Sequence, residues 1–170
     1  RRVGFALRFA FPAGRRLPVR GGFSLRHAAA VPEVPGRVGS TFFLTANLHP
    51  AETIWIHGGS SGMGTMAIQR AVALGAGVAV TAGSAAKLEV CRELGAEIAI
   101  NYRDQDFVAE LAAATAGQGA DVILDNMGAK YLARNVTALA DGGAPPVIGF
   151  MGRGGGGAAP GPLTNRSRPQ

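Results

Sequence analysis

The chain has 170 residues, 47% of them hydrophobic and 16% charged, which is enough for one domain of ordinary size and too apolar for wholesale disorder. Its single cysteine, Cys91, excludes an intrachain disulfide framework and a Cys-rich zinc site, and no apolar run approaches the ~20 residues of a membrane-spanning helix. The net charge of +6 is uneven: residues 1–37 carry eight Arg against Glu33 alone, residues 51–150 carry six Lys or Arg against ten Asp or Glu, and residues 151–170 carry three Arg and no acid. A nucleic-acid-binding domain carries its basic charge on the folded part. Here the basic charge lies at the ends, so neither a nucleic-acid nor a membrane partner is expected.

In chain order, residues 1–16 alternate Arg with small and apolar residues and form an unassigned basic segment. Residues 17–50 read as a helical lead-in. Within it Ser24–Ala30 is helical and stopped by Pro32, and Thr41–Leu48 is a second helix whose start is weakened by Gly36 and Gly39. A regular alternation then runs through residues 51–150. The β-rich run Thr53–His57 ends in glycines, and Thr65–Leu74 has helical composition up to Gly75. Val78–Ala82 is a buried strand, and Ala85–Leu94 is a helix with Ser84 as its cap and Gly95 after its end. Glu97–Asn101 is a strand, Asp106–Ala114 a helix with Phe107, Val108 and Leu111 inward, and Asp121–Asp125 a strand. Lys130–Ala140 reads as a helix and Pro146–Phe150 as a short fifth strand. Strands alternating with helices at this spacing predict an α/β fold, a Rossmann-type doubly wound parallel sheet of about five strands. Residues 151–170, dominated by Gly and Pro, are expected to be a disordered tail.

The stretch His57-Gly58-Gly59-Ser60-Ser61-Gly62-Met63-Gly64 follows a predicted strand and opens a predicted helix. A pyrophosphate needs backbone N–H donors, and a helix N-terminus supplies them together with the positive end of the helix dipole. Small residues let the phosphate approach. Against G-x-G-x-x-G, Gly59 and Gly64 take the outer positions and Ser61 replaces the middle glycine. The competing reading is a tight strand-to-helix turn without a ligand. At the end of the second strand, where an acid would bind the ribose hydroxyls of NAD, the chain has Thr81-Ala82-Gly83-Ser84-Ala85-Ala86-Lys87, with no acid between Glu52 and Glu89. A carboxylate there would repel a 2′-phosphate, whereas a small turn, a hydroxyl and Lys87 accept one. The cofactor expected is therefore NADP(H), although Ser84 can equally serve as a helix cap and Lys87 as a solvated residue.

The segments IHGGSSGMGTMAIQ, VTAGSAAKLEVCRELGAEIAINYRDQDF and ADVILDNMGAKYLARNV resemble the coenzyme domain of zinc-independent medium-chain dehydrogenases/reductases, over roughly residues 17–150. The subgroup it looks most like is the NADPH-dependent quinone oxidoreductases, including the p53-inducible type. The resemblance implies a cytoplasmic oxidoreductase that passes hydride from the nicotinamide to a quinone or an enone, with a possible homodimer through the sheet edge. It also implies roles for individual residues. Ser60, Ser61, Gly62, Met63 and Gly64 would line the pyrophosphate. Gly83, Ser84, Lys87 and Tyr102 would surround the 2′-phosphate. Asn126 and Met127 would lie on the nicotinamide side, near Gly149 and Phe150. No catalytic residue can be named. Relatives also carry a GroES-like N-terminal domain that helps form the substrate cleft, whereas the similarity here begins before the coenzyme domain. Arg37 and Gly39 stand where relatives have Thr and an aromatic residue, and Ala144-Pro145-Pro146 shortens the fifth strand. These departures suggest a truncated or mis-assembled coding product. The alternative function is a non-catalytic NADP-binding or assembly fragment.

Other constellations read as structural. His27, His49 and His57 are scattered, with no metal-ligand spacing. His57 is expected to be a packed residue satisfied by backbone, and Cys91, at helical spacing from Leu88 and Leu94, a core residue. Trp55 lies in a strand buried on both faces. Asp121 and Asp125 sit at opposite ends of one strand and do not form an acid/base pair.

Overall fold

The computed structural model describes residues 14, 18–19, 21–40, 46–127 and 130–144. The expected strand Pro146–Phe150, with Gly149 and Phe150, and the expected disordered tail lie outside the described residues, as does nearly all of the basic segment 1–16. The chain divides into two units, Arg1–Pro32 and Glu33–Gln170. In the first, helix α1 (Leu25–Ala30) starts where Ser24 Oγ accepts from the His27 amide at 3.2 Å, close to the expected helix Ser24–Ala30.

The second unit opens with the short helix α2 (Val34–Gly39), which has Pro in its first turn, where a missing N–H costs nothing, and buries Val38. The expected helix through Leu48 is corrected in its described part: residues 46–48 are not helical, and Asn47 takes a left-handed φ of 51°. The alternation then follows as β1 (Thr53–His57), α3 (Gly62–Leu74), β2 (Gly77–Ala82), α4 (Ala85–Glu93), β3 (Ile98–Asn101), α5 (Phe107–Ala114), β4 (Ala120–Leu124), α6 (Leu132–Ala138) and β5 (Leu139–Ala144). All strand pairs are parallel, in the order β3-β2-β1-β4-β5.

Alternation along the strands builds a core on each face of the sheet. Ile54, Ile56, Val78, Val80, Val122 and Leu124 join Ala67 and Ile68 of α3 and Leu88 and Cys91 of α4 on one face. Trp55, Ala79, Ile100 and Ile123 join Phe107 and Leu111 of α5 on the other. Strands covered on both faces need apolar residues at every position, which is why these runs show no polar alternation. Trp55 and Cys91 are fully buried, as their sequence setting predicts.

The C-terminal part differs from expectation. Helix α6 is shorter than Lys130–Ala140 at both ends, and Leu139 and Ala140 belong to β5. The run LADGGA has little β propensity, and its pairing to β4 is irregular, with Ala120 opposite Leu139 and Val122 opposite Ala144. Gly142 at φ 79° accommodates the irregularity. Its strand character comes from the neighbour it pairs with, a tertiary effect that propensity does not register. Among the described residues, no helix is long and apolar enough to cross a membrane.

Candidate functional site

The strand order reverses direction around β1: the chain leaves β1 through α3 toward β2 and β3, while β4 and β5 lie on its other side. In open parallel sheets the crevice beyond the C-terminal ends of the strands at such a switch point is where ligands bind. The Gly58–Gly64 turn follows β1 there, and Asn126 follows β4.

Gly58 leaves β1 with a φ of 67°, a conformation suited to glycine. Its amide faces Thr81 Oγ1 at 3.3 Å, and the Gly59 amide donates to the Thr81 carbonyl at 2.9 Å. The turn is thus tied to the end of β2. A Cβ on Gly59 would stand 2.8 Å from Val80 Cβ and 3.1 Å from Cys91 Sγ. One on Gly64 would stand 2.5 Å from the Gly58 carbonyl oxygen and closer still to that of Gly59. These two glycines let the turn lie on the sheet and the helix lie on the turn. Gly62 differs, because nothing lies within 4 Å of the position its Cβ would take.

Ser61 caps α3, its Oγ accepting from the Gly64 amide at 3.0 Å, and its own amide donates to the Gly58 carbonyl at 3.0 Å. Two of the five amides expected to line a phosphate are therefore engaged internally. Those of Ser60, Gly62 and Met63 have no acceptor among the described residues. They sit at the positive end of a 13-residue helix with no acidic residue in its first turn. This cradle fits an anion such as a dinucleotide's diphosphate.

The second cluster forms at the ends of β2 and β3. Gly83 lies against the Tyr102 ring, so that a Cβ there would stand 2.6 Å from the Tyr102 hydroxyl. Tyr102 is 43% exposed, and its hydroxyl lies at the end of β2 beside Gly83. Ser84 occupies the cap position of α4, but its side chain makes no capping hydrogen bond, a correction to its expected capping role. Lys87 is exposed on the first turn of the same helix. Two hydroxyls and an ammonium group are therefore presented where strand and helix meet.

On the other side of β1, Asn126 approaches the turn. Its Nδ2 would be 3.1 Å from a Cβ on Gly58, and its buried Oδ1 has no hydrogen-bond partner. The Met127 amide donates to Asp125 Oδ1 at 2.6 Å, which shapes the loop after β4. The sequence-predicted residues thus fall into three groups along the C-terminal edge. Asp121 and Asp125 indeed serve separate ends: Asp121 Oδ2 accepts from the Thr53 amide at 2.8 Å, and Asp125 faces α6.

His57 is where sequence reasoning fell short. It is 1% exposed, and its ring is satisfied by side chains, not by backbone. Nε2 lies 2.8 Å from Asn135 Oδ1, Nδ1 lies 3.1 Å from Thr81 Oγ1, and the Trp55 indole N–H faces the ring. Burial holds its pKa below the ordinary histidine value, outweighing the opposing effects of Asn135 and Asp125, while Arg134 adds to the lowering. The parallel register sets His57 beside Thr81, a pairing that the sequence does not show.

An open cleft of about 410 Å³ lies at the opposite end of the sheet, lined by residues that include Thr53, Gly119, Asp121 and Asp141. It is far from the glycine turn in the topology and holds none of the predicted site residues. Among the described residues, no three His, Cys, Asp or Glu side chains are grouped to hold a metal ion.

A Rossmann-type parallel sheet with an open amide cradle at its switch point defines a dinucleotide-binding type of domain. The sequence model of zinc-binding dehydrogenases matches residues 62–168, and the chain belongs to that family, the medium-chain dehydrogenases/reductases. The described residues bring no set of ligands together for the zinc in the family's description. A 2-haloacrylate reductase from Burkholderia is 35% identical over 95 residues, which are 56% of this chain and 28% of that enzyme. A polyketide synthase subunit from Mycobacterium tuberculosis is 38% identical over 96 residues, again 56% of this chain but only 4% of that protein. Among solved structures, Escherichia coli quinone oxidoreductase complexed with NADPH matches with a TM-score of 0.68 and 30% identity, over 75% of this chain and 39% of that one. An NAD-dependent alcohol dehydrogenase matches with a TM-score of 0.73 and 32% identity, over 79% of this chain and 39% of that one. The chain therefore spans well under half the length of these relatives, and it is an oxidoreductase-family domain.

Proposed function

We propose that this chain is the coenzyme-binding part of an NADPH-dependent reductase of quinones or of electron-poor carbon–carbon double bonds. The observation that carries the reading is the open cradle of the Ser60, Gly62 and Met63 amides at the head of α3, at the switch point of the sheet. These amides would hold the diphosphate, with the dipole of α3 adding to the attraction. Gly83 would let the Tyr102 hydroxyl lie close to the end of β2, and Ser84, Lys87 and Tyr102 would hold the 2′-phosphate through two hydroxyl donors and one positive charge. No carboxylate stands between Glu52 and Glu89 to repel it. The unpartnered Oδ1 of Asn126 would accept a hydrogen bond from the nicotinamide half. Bound NADPH would supply hydride; the residues of this chain bind and orient it, which is how such domains contribute to rate. Self-association through an outer strand of the described sheet, β3 or β5, is part of the same reading.

The likeness to an NADPH-complexed quinone oxidoreductase and to a 2-haloacrylate reductase supports the cofactor and the substrate class. The likeness to an NAD-dependent enzyme leaves the choice of nucleotide to the residues around Gly83. The test is titration of the full chain with NADPH and NADH by nicotinamide fluorescence, followed by quinone-dependent NADPH oxidation. Saturable binding with turnover supports the reductase. Binding without turnover assigns the chain to the second reading, a cofactor-binding module. Absence of saturable binding overturns both.

A further inference from the structure

The buried side chains around His57 form a hydrogen-bonded chain whose direction can be deduced. A carboxylate oxygen only accepts, so Asn135 turns its Nδ2 to Asp125 Oδ2, at 2.8 Å. Asn135 Oδ1 is then left facing His57 Nε2, which must carry the proton and donate. In a neutral imidazole, Nδ1 is consequently the acceptor, and its one lone pair takes the hydroxyl proton of Thr81, while the Trp55 indole nitrogen lies against the ring, 3.3 Å from Nδ1 and 3.2 Å from Nε2, and sets no direction. Thr81 Oγ1 in turn faces the Gly58 amide. Asp125 also receives the Met127 amide, so the chain begins in the loop after β4 and ends at the first amide of the glycine turn.

We infer that this chain, Asp125–Asn135–His57–Thr81–Gly58, is a positioning element that holds the loop after β4 and the glycine turn in one geometry, so that cofactor affinity depends on residues that never touch the cofactor. The inference rests on the cofactor-binding reading above. The chain is deeply placed: His57, Thr81, Asp125 and Asn135 are each at most 4% exposed. Its four side chains come from four places, β1, β2, the residue after β4 and α6. The ring also packs against Phe107 and Tyr131, with centroids 5.1 Å from its own. Polar groups in such a setting are costly to leave unpaired, and a chain of them transmits a defect at one end to the other.

The test uses the full chain with Thr81→Val, which keeps the shape and removes the hydroxyl, Thr81→Ser, which keeps the hydroxyl, and Asn135→Leu. NADPH affinity should fall about tenfold in T81V and N135L and stay within about twofold in T81S, tenfold being what one hydrogen bond of ordinary net strength corresponds to. Circular dichroism should show the fold retained. Wild-type affinity should also weaken as pH drops below the ordinary histidine range, since a proton on Nδ1 reverses the bond to Thr81. Asp125 and Arg134 act on the ring with opposite signs, and Tyr131 lies against it. In T81V that pH dependence should be reduced. Nitrogen NMR of the wild type, which needs no variant to fold, should find neutral His57 protonated on Nε2. The inference is overturned if T81V binds like wild type, if T81S is as weak as T81V, or if the proton is on Nδ1. Equal NADPH binding by all variants overturns this inference alone, whereas a wild type that does not bind overturns the cofactor reading as well.

Discussion

Alanine at Gly64 and at Gly62 should act in opposite directions, although the two glycines lie two residues apart on one helix. At Gly64 the new Cβ would stand 2.5 Å from the Gly58 carbonyl oxygen, against 3.4 Å for ordinary contact. The obstacle is backbone, so α3 must move by about 1 Å away from the turn. That movement disturbs Ala67, Ile68 and Ala71, all buried against the sheet. Overpacking of this kind costs about 3 kcal/mol, or a fall in Tm of roughly 6–12 °C for a chain of this size. At Gly62 the Cβ meets nothing within 4 Å. Alanine there should leave the Tm unchanged or raise it, because replacing helical glycine gains up to about 1 kcal/mol. Its methyl group would nevertheless stand in open space on the residue whose own amide is one of the three without an acceptor among the described residues. Keeping a diphosphate from one amide costs about 1.5–3 kcal/mol, roughly ten- to a hundredfold in affinity. Thermal melts followed by circular dichroism, together with NADPH titration, read both effects. A Gly64→Ala protein that melts with the wild type, or a Gly62→Ala protein that melts as low as Gly64→Ala, would refute the packing argument. Unchanged NADPH affinity in Gly62→Ala would refute the cradle.

Three further outcomes are expected. Lys87→Glu should weaken NADPH binding roughly tenfold and leave NADH binding unaltered, because only the 2′-phosphate faces the reversed charge; competition titration with both nucleotides checks this. Stability should depend on His57 between its ordinary pKa of 6.5 and the lower value that burial imposes. With its pKa depressed in the folded protein, the unfolded chain binds the proton more readily, so the contribution is present above pH 6.5 and is lost as pH falls below it. Urea titrations across pH 7 to 5 should show this slope, and His57→Gln should flatten it. Ser61→Ala should lower stability by about 1 kcal/mol through loss of the cap on α3, read as the shift in urea midpoint at constant m.

The central part of the fold is written locally in the sequence. Ile54, Trp55 and Ile56, or Val78, Ala79 and Val80, are apolar at successive positions because both faces of their strands are covered. Asp106 and Gly75 mark helix ends through their own chemistry; the Asp106 carboxylate accepts from the Val108 amide at 2.9 Å, whereas the cap at Ser61 starts α3 at Gly62, earlier than the expected Thr65. For the same reason the glycine turn could be placed before any coordinates. β5 was not legible, since Leu139–Ala144 lacks β-branched residues and becomes a strand only by pairing with β4. The partners of His57 were equally hidden, because Thr81 and Asn135 are 24 and 78 residues away in sequence. A buried histidine announces that it needs partners, but only the strand register and the placement of α6 say which ones.

In the proposed function the amides of Ser60, Gly62 and Met63 receive a nucleotide's diphosphate. Amide chemical shifts of the full chain, followed during addition of NADPH, address those three groups directly. The expected result is saturable movement of the Ser60, Gly62 and Met63 resonances, with those of Gly83, Ser84 and Tyr102 responding to NADPH and not to NADH. Resonances of the 58–64 turn that stay fixed while NADPH reaches millimolar concentration would contradict it.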